Sequence, residues 1–144
     1  MSGVVSMRLR DEQLARLERY ARTLGKSSGE ASAMLVEEHL REVEFAFIEF
    51  RPSPLGRQAY MKGSRLTVWW VIDTARKHFA MDAERLAEHF GRPVAWAQAA
   101  LNYYEAYRGE VDRAIEDANA GGIERLKRLA PGIQVLALPL EGEG

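Results

Sequence analysis

Residues 5–35, VSMRLRDEQLARLERYARTLGKSSGEASAML, decide the fold of the first part of this 144-residue chain. Side chains of two kinds alternate at the start of this stretch. The apolar set is Val5, Met7 and Leu9, and the other set is Val4, Ser6 and Arg8. A period of two residues predicts a half-buried β-strand over residues 4–9.

A first amphipathic helix follows the predicted strand. Asp11 is the expected N-cap, and Gly25 ends the helical pattern. Apolar side chains recur at spacings of three and four residues, which is the pattern of a helix that buries one face. They are Leu14, Leu17, Ala21 and Leu24.

A second helix is predicted over residues 29–43. Ser27 and Glu30 have the spacing of a capping box, in which each side chain accepts a hydrogen bond from the backbone N–H of the other residue. The residues available for the core face of this helix are Ala31, Met34, Leu35 and Leu40.

The predicted strand has no neighbour in sequence that could pair with it, because two helices follow directly. A second copy of the chain is the simplest partner, and it would bury Val5, Met7 and Leu9 in a two-stranded antiparallel ribbon. A β-ribbon fits the major groove of DNA, where arginine and serine side chains contact base edges. The N-terminus of the second helix, near Ser27 and Ser28, is suited to hold a phosphate.

Residues 3–43 resemble the ribbon-helix-helix family of dimeric repressors and antitoxins, on the stretch quoted above with Gly25 and the serine-capped second helix. The resemblance implies that Val4, Ser6 and Arg8 read bases and that Ser27 or Ser28 clamps the DNA backbone. Val4 departs from the family, in which a polar residue is more usual at that position. The alternative is a dimerisation ribbon that does not touch DNA.

The chain changes character after Glu44. Residues 45–51 and 58–62 have the pattern of two short strands, separated by a Pro- and Gly-containing break. Helical spacing follows, with Val68, Val71, Ile72, Ala75 and Phe79 on one face. Asp82 caps a further helix that Gly91 ends, and Pro93 is placed as the first residue of the next. We expect a bend or break near Gly109 and then a helix over residues 111–120.

Residues 58–118 resemble the prokaryotic family catalogued as domain of unknown function 433 (DUF433). The resemblance rests on Gly63-Ser64-Arg65-Leu66-Thr67-Val68 and on Ala100-Leu101-Asn102-Tyr103-Tyr104. A threonine is more usual at position 64. The resemblance implies a helix-turn-helix-like core over residues 83–107 and an antitoxin that acts on a PIN-like ribonuclease. We interpret the first motif as a turn that feeds a helix, with Ser64 or Thr67 as its cap and Arg65 paired to a carboxylate.

The C-terminal residues form a third segment. Gly121-Gly122 precedes a predicted short helix over residues 123–129, and residues 133–140 are almost wholly apolar. Such a segment is either a strand buried in this protein or an arm that occupies a groove on a toxin. The candidate toxin-binding residues are Arg125, Lys127, Arg128, Ile133, Val135, Leu136 and Leu138.

Composition excludes several classes of function. The chain has 20 Lys and Arg against 21 Asp and Glu, but residues 1–28 have a net charge of +3 and residues 29–50 one of −5. A basic N-terminal face is typical of phosphate contact. The absence of cysteine excludes disulfides and thiolate chemistry. No apolar run of membrane-spanning length and no signal peptide is present, so we expect a cytoplasmic protein.

The sequence therefore predicts a mainly α protein with short β elements. A ribbon-helix-helix dimerisation unit at residues 1–43 precedes a small helical, helix-turn-helix-like domain with a β-hairpin at residues 44–120, and a C-terminal segment covers residues 121–144. No catalytic set, metal cluster or cofactor motif is present, so an enzyme is not expected. We expect an antitoxin that dimerises, binds operator DNA and neutralises a PIN-like ribonuclease. The alternative is a stand-alone dimeric transcriptional regulator.

Overall fold

A computed structural model describes residues 2–132, except for the side chains of residues 122–126. The described chain is mainly helical with a small antiparallel hairpin, which confirms the mainly α class with short β elements. It divides into two compact units, residues 1–41 and residues 42 onward.

Unit 1 contains helix α1 (Asp11–Leu24) and most of helix α2 (Ser28–Glu44). Asp11 is the first residue of α1 rather than its cap. The cap position belongs to Arg10, whose backbone N–H donates to Gln13 Oε1 at 3.0 Å. An acidic side chain in the first helical turn is stabilised by the helix dipole, which explains why Asp11 fits inside the helix as well as before it. Gly25 ends α1 in the left-handed conformation, at φ 65°, as predicted.

The N-terminal segment differs from its prediction. Residues 2–10 form no strand, and Val4 and Val5 are 93% and 89% exposed. A strand is defined by hydrogen bonds to a neighbouring strand, and residues 2–132 of a single chain supply none for this segment. Residues 4–9 therefore form no strand within one copy, and their predicted pairing with a second copy stays a prediction.

The apolar faces of α1 and α2 are also more exposed than predicted. Ala21 and Ala31 are buried, whereas Leu14, Leu35 and Leu40 remain 41%, 39% and 48% exposed. Two helices in one chain cover only part of each other's apolar faces, since a core needs a further layer. The placement of Leu35 and Leu40 in the core is thus wrong within a single copy.

Unit 2 begins with the antiparallel hairpin of strands β1 (Ile48–Ser53) and β2 (Gly56–Met61), in which Ile48 pairs with Met61. Strand β1 starts three residues later than predicted. Phe47 adopts a left-handed conformation, at φ 63°, and this turn delays the strand. Phe45 instead packs edge-on against the rings of Tyr103 and Tyr107.

The outer edge of β1 is covered by side chains. The Phe50 N–H donates to Glu42 Oε1 at 2.8 Å, and the Phe50 carbonyl accepts from Arg57 Nη2 at 3.3 Å. Pro52, two residues along, has no N–H to offer. On the other side of the hairpin, Tyr60 bridges to Thr67. The hairpin edges are thereby blocked at several backbone groups against further pairing.

Four helices follow the hairpin. They are α3 (Val68–His78), α4 (Ala83–Phe90), α5 (Val94–Ala106) and α6 (Arg108–Leu129). Thr67 and Asp82 cap α3 and α4 through their side chains, and Gly91 ends α4 at φ 63°. Pro93 lies just before α5 instead of within it. The break expected near Gly109 falls at Tyr107, which separates α5 from α6.

The core of unit 2 lies between the hairpin and these helices. The residues predicted to share one face of α3 are buried, as are Val111 and Ile115 of α6 and aromatic and aliphatic side chains of α5 and β2. The largest buried side chains are Tyr103, Met61, Ile72, Leu86, Val68 and Val71. Phe79 is 6% exposed, which confirms its predicted place on the buried face of α3.

Helix α6 runs without interruption through Gly121-Gly122, so residues 123–129 belong to α6 and the prediction of a separate short helix is wrong. Glycine destabilises a helix interior by about 1 kcal/mol relative to alanine but does not forbid it. Pro131 lies two residues beyond the end of α6, as expected of a residue that cannot continue a helix.

Candidate nucleic-acid interface

The predicted base-reading residues Val4, Ser6 and Arg8 lie in the exposed N-terminal segment of unit 1. The predicted dimerisation residues alternate with them. Val5 and Met7 are 89% and 65% exposed, and exposure falls along the segment to 36% at Leu9, next to the start of α1. Both faces of residues 4–9 are consequently open to solvent in a single copy.

Ser27 and Ser28, the predicted phosphate clamp, lie at the start of α2. Ser27 Oγ accepts from the Glu30 N–H at 3.1 Å, and the Ser27 N–H donates to Glu30 Oε1 at 3.2 Å, so the capping box is confirmed. The backbone and hydroxyl hydrogen bonds from Ser27 lower the pKa of the Glu30 carboxyl. The amides of Ser28 and Gly29 have no partner inside the helix, as in any first turn.

These two groups of residues belong to the same unit but are not joined to each other. Within the part of the chain that is described, no hydrogen bond or ion pair links residues 4–9 to Ser27 or Ser28. The carboxylate of Glu30 also lies at the same helix end as the free amides. A phosphate placed there would rely on the amides and on the nearby Lys26 charge.

The first DUF433-like motif shapes a turn, as predicted. Gly63 has φ 74°, a conformation that favours glycine. Ser64 Oγ donates to the Met61 carbonyl at 2.7 Å and accepts from the Leu66 N–H at 3.1 Å. Thr67 Oγ1 accepts from the Trp70 N–H at 3.3 Å and so caps α3.

The predicted pairing of Arg65 with a carboxylate is wrong. It is exposed, and no ion pair joins it to a carboxylate within residues 2–132. Arg51, and not Arg65, makes the contacts that support this turn. Its guanidinium lies 4.0 Å from the ring centroid of Tyr60, forms an ion pair with Glu49 at 3.3 Å and donates to the Ser64 carbonyl.

The second motif contributes hydrogen bonds that hold α6 in place. The Tyr103 hydroxyl donates to Glu110 Oε2 at 2.6 Å. Arg76 Nη2 donates to Asp112 Oδ1 at 2.6 Å, and the Tyr104 hydroxyl donates to the same oxygen at 2.8 Å. Helices α3, α5 and α6 are thus joined at one point on the surface.

The contacts and burial of these three side chains shift their pKa values. The hydrogen bond from Arg76 and then that from Tyr104 lower the pKa of the Asp112 carboxyl. The bond to Asp112 raises the pKa of Arg76, and burial raises the pKa of Tyr104. Sequence reasoning missed this cluster because Arg76 and Asp112 are 36 positions apart and no short motif joins them.

The candidate toxin-binding residues lie at or beyond the end of α6. Lys127 and Arg128 are exposed in the last turn of α6, and Arg125 lies in the same helix. The remaining candidates lie outside the described residues: Ile133, Val135, Leu136 and Leu138. Their predicted role stays a prediction.

Residues 2–132 contain no cluster of His, Asp and Glu side chains able to hold a metal ion. None of the helices described here combines the length and apolar character needed to cross a bilayer.

No family model, curated protein or solved structure matches the chain.

Proposed function

We propose that this protein is a dimeric, DNA-binding antitoxin of a type II toxin–antitoxin system, which acts in the cytoplasm on a PIN-like ribonuclease. The observation that carries the dimer is the missing core of unit 1. Its buried apolar side chains are the two alanines Ala21 and Ala31, while Met7, Leu14 and Leu40 remain 65%, 41% and 48% exposed. A unit of about 40 residues needs crosslinks, metals or oligomerisation to be stable.

A second copy of unit 1 supplies what one copy lacks. The chain has no cysteine to form a crosslink, and no metal-binding cluster occurs among the described residues. Pairing of residues 4–9 between copies would bury Val5, Met7 and Leu9 and leave Val4, Ser6 and Arg8 on the outer face. This arrangement supports a ribbon that enters the major groove.

The dimer is tested by changing one face of the N-terminal segment at a time. We expect Met7→Lys to convert the dimer to a monomer in sedimentation analysis, because it places a charge in the proposed interface. Val4→Lys is the matched control, since it places the same charge on the outer face, three residues away. Retention of the dimer by Met7→Lys would contradict pairing through residues 4–9.

DNA binding is tested with Arg8→Ala. A good bidentate contact of arginine to a base is worth about 1–3 kcal/mol of discrimination. We therefore expect at least about a fivefold loss of preference for the protein's own promoter over a shuffled duplex, measured by fluorescence anisotropy. Equal preference in the variant and the unchanged protein would remove Arg8 from base readout.

The antitoxin role is supported by the DUF433-like resemblance of residues 58–118 and by the exposed basic residues at the end of α6. In this proposal the C-terminal segment covers the acidic, metal-dependent active site of the toxin, with Arg125, Lys127 or Arg128 entering it. Co-expression with the operon neighbour, affinity purification and sizing test the pairing. A stable complex that abolishes the neighbour's toxicity is the expected result.

Replacement of Arg125, Lys127 and Arg128 by alanine then tests the insertion. We expect toxin inhibition to be lost while DNA binding and dimerisation persist. Unchanged inhibition would exclude insertion of these side chains without excluding the complex.

A stand-alone transcriptional regulator is the second candidate, and one observation favours it. The features proposed for DNA binding lie within unit 1, so they require no toxin. A lone dimer that ignores its operon neighbour and still shifts its own promoter DNA would leave this function in place of the antitoxin.

A further inference from the structure

The hairpin of unit 2 has an uneven distribution of charge that the proposed function does not use. Residues 50–72 contain four basic side chains and no acidic one. They are Arg51, Arg57, Lys62 and Arg65. Two of them lie on the hairpin strands, and two flank the tight turn at residues 62–65.

Residues of both hairpin strands form hydrogen bonds with the turn at residues 62–65. The Gly63 N–H donates to Glu49 Oε1 at 3.2 Å, and Glu49 also pairs with Arg51. The Ser64 N–H donates to the Met61 carbonyl at 3.1 Å, and the Ser64 carbonyl accepts from the Arg51 guanidinium. The carboxylate of Glu49 is therefore paired with Arg51, and hydrogen bonds from Glu49, Met61 and Arg51 support the turn.

Lys62 and Arg65 differ from Arg76 and Lys77 of α3, which are paired with carboxylates. Arg76 pairs with Asp112 at 2.6 Å, and Lys77 pairs with Asp73 at 2.9 Å. Lys62 and Arg65 are exposed, and neither has an ion-pair partner within residues 2–132. Two uncompensated positive charges thus stand on either side of Gly63-Ser64.

The surroundings of the turn favour an anionic partner over a protein surface. The core of a protein–protein interface is apolar and depleted in charge. Beside the turn, Phe47 is 40% exposed, and its carbonyl accepts from the Lys62 N–H at 2.7 Å. From residue 48 to residue 93 no large hydrophobic side chain of the described chain is exposed, so the apolar area here amounts to one ring. Phosphate contacts on duplex DNA need only exposed positive groups held in a fixed geometry.

We propose that Lys62 and Arg65 bind backbone phosphates of duplex DNA, so that unit 2 adds a sequence-independent contact to the base-reading contact of unit 1. The placement of this contact on operator DNA rests on the proposed function. The phosphate contact itself does not, because it is measurable on any duplex.

The test compares the full-length Lys62→Gln/Arg65→Gln variant with Lys77→Gln/Arg113→Gln, which removes the same charge from α3 and α6. Each protein is titrated against a promoter duplex and a shuffled duplex from 50 to 200 mM salt. Each lost phosphate contact lowers the slope of log K against log salt by about 0.9. We expect the first variant to lose a slope of about 2 per chain, and on the order of tenfold in affinity at low salt, on both duplexes.

The outcomes separate this inference from the proposed function. A slope and affinity equal to those of the control variant would overturn the phosphate contact. If Arg8→Ala changes nothing while Lys62→Gln/Arg65→Gln lowers the slope, base reading by unit 1 fails and the phosphate contact stands. If the double variant binds both duplexes normally but no longer binds the operon neighbour, the turn contacts protein and the inference is wrong. Unchanged melting of both variants verifies that they fold.

Discussion

The two units of this chain solve the problem of a hydrophobic core differently. Unit 2 closes its own core, with Leu86 and Tyr103 fully buried between helices and hairpin. Unit 1 has helices with well-formed ends, but among its described apolar side chains only the alanines Ala21 and Ala31 are buried within one copy. Local helix signals and burial are therefore separate properties. The hydrogen bonds of caps and turns form within a few residues, whereas a core needs a further layer.

The largest effect that tests this comparison is a pair of matched core truncations. Leu86→Ala in unit 2 removes a side chain with no exposure and should cost about 2–5 kcal/mol of unfolding free energy. Leu14→Ala in unit 1 removes one that is 41% exposed, so at high dilution we expect it to cost less than about 1 kcal/mol. Denaturant unfolding followed by circular dichroism measures both.

The two truncations should also differ in how their costs depend on protein concentration. At higher protein concentration the cost of Leu14→Ala should grow, because self-association would bury the side chain. The cost of Leu86→Ala should not change. Equal costs of the two truncations at every concentration would remove the distinction between the units.

A pair of cap variants should act on one unit each. Ser27→Ala removes the cap of α2, and Asp82→Ala removes that of α4, where Asp82 Oδ1 accepts from the Arg85 N–H at 3.0 Å. Each change should cost about 1 kcal/mol. We expect Ser27→Ala to increase hydrogen exchange in unit 1 and Asp82→Ala in unit 2. A uniform increase across both units would mean that they unfold as one.

A smaller effect is expected where α6 joins α3 in unit 2. Asp112→Asn breaks the ion pair with Arg76, and both side chains are more than 40% exposed, so the loss should be about 0.2–1 kcal/mol. Folding lowers the pKa of Asp112, which means that the stabilisation is present above about pH 4 and disappears as the pH falls through the folded pKa.

Melting temperatures at pH 7 and pH 3 measure this difference. The variant and the unchanged protein should differ at pH 7, and the difference should be smaller at pH 3 because the carboxyl is then closer to its folded pKa. Lys77→Gln, which breaks the exposed pair with Asp73 within α3, is the control for loss of a surface charge alone. A difference that persists unchanged at pH 3 would assign the effect to packing.

The smallest expected effect is an increase in the free energy of unfolding. Ala80 lies between α3 and α4 in a left-handed conformation, at φ 49°, and its side chain is exposed. The conformation costs a non-glycine residue about 1–2 kcal/mol, and glycine returns part of this as greater freedom in the unfolded chain. Ala80→Gly should therefore stabilise unit 2 by about 0.5 kcal/mol in denaturant unfolding, and a loss of stability would contradict the strain.

Much of the fold could be predicted because its signals are local. Several helix ends lie where the sequence analysis predicted them. They are marked by Gly25, the Ser27–Glu30 capping box, Thr67, Asp82 and Gly91. Errors arose where distant residues decide the structure. Phe45 joins an aromatic cluster with Tyr103 instead of a strand, and α6 tolerates two glycines.

The candidate sites show the same division. The turn at Gly63-Ser64 followed from its residue types, but the partner of the Ser64 carbonyl is Arg51, 13 positions earlier, which no spacing rule indicates. The Arg76–Asp112 contact was missed for the same reason. The pairing of residues 4–9 depends on a second chain, so it stays a prediction that one chain cannot test.

The covered edge of β1 has a consequence for how this protein fails. Open-ended fibrils grow when successive chains add strands to the same unpaired edge. In the hairpin, Glu42 and Arg57 occupy the Phe50 backbone groups, and Pro52 removes the next donor. A strand from another chain would therefore find no continuous row of free backbone groups along this part of the β1 edge, so fibril growth from this edge is disfavoured.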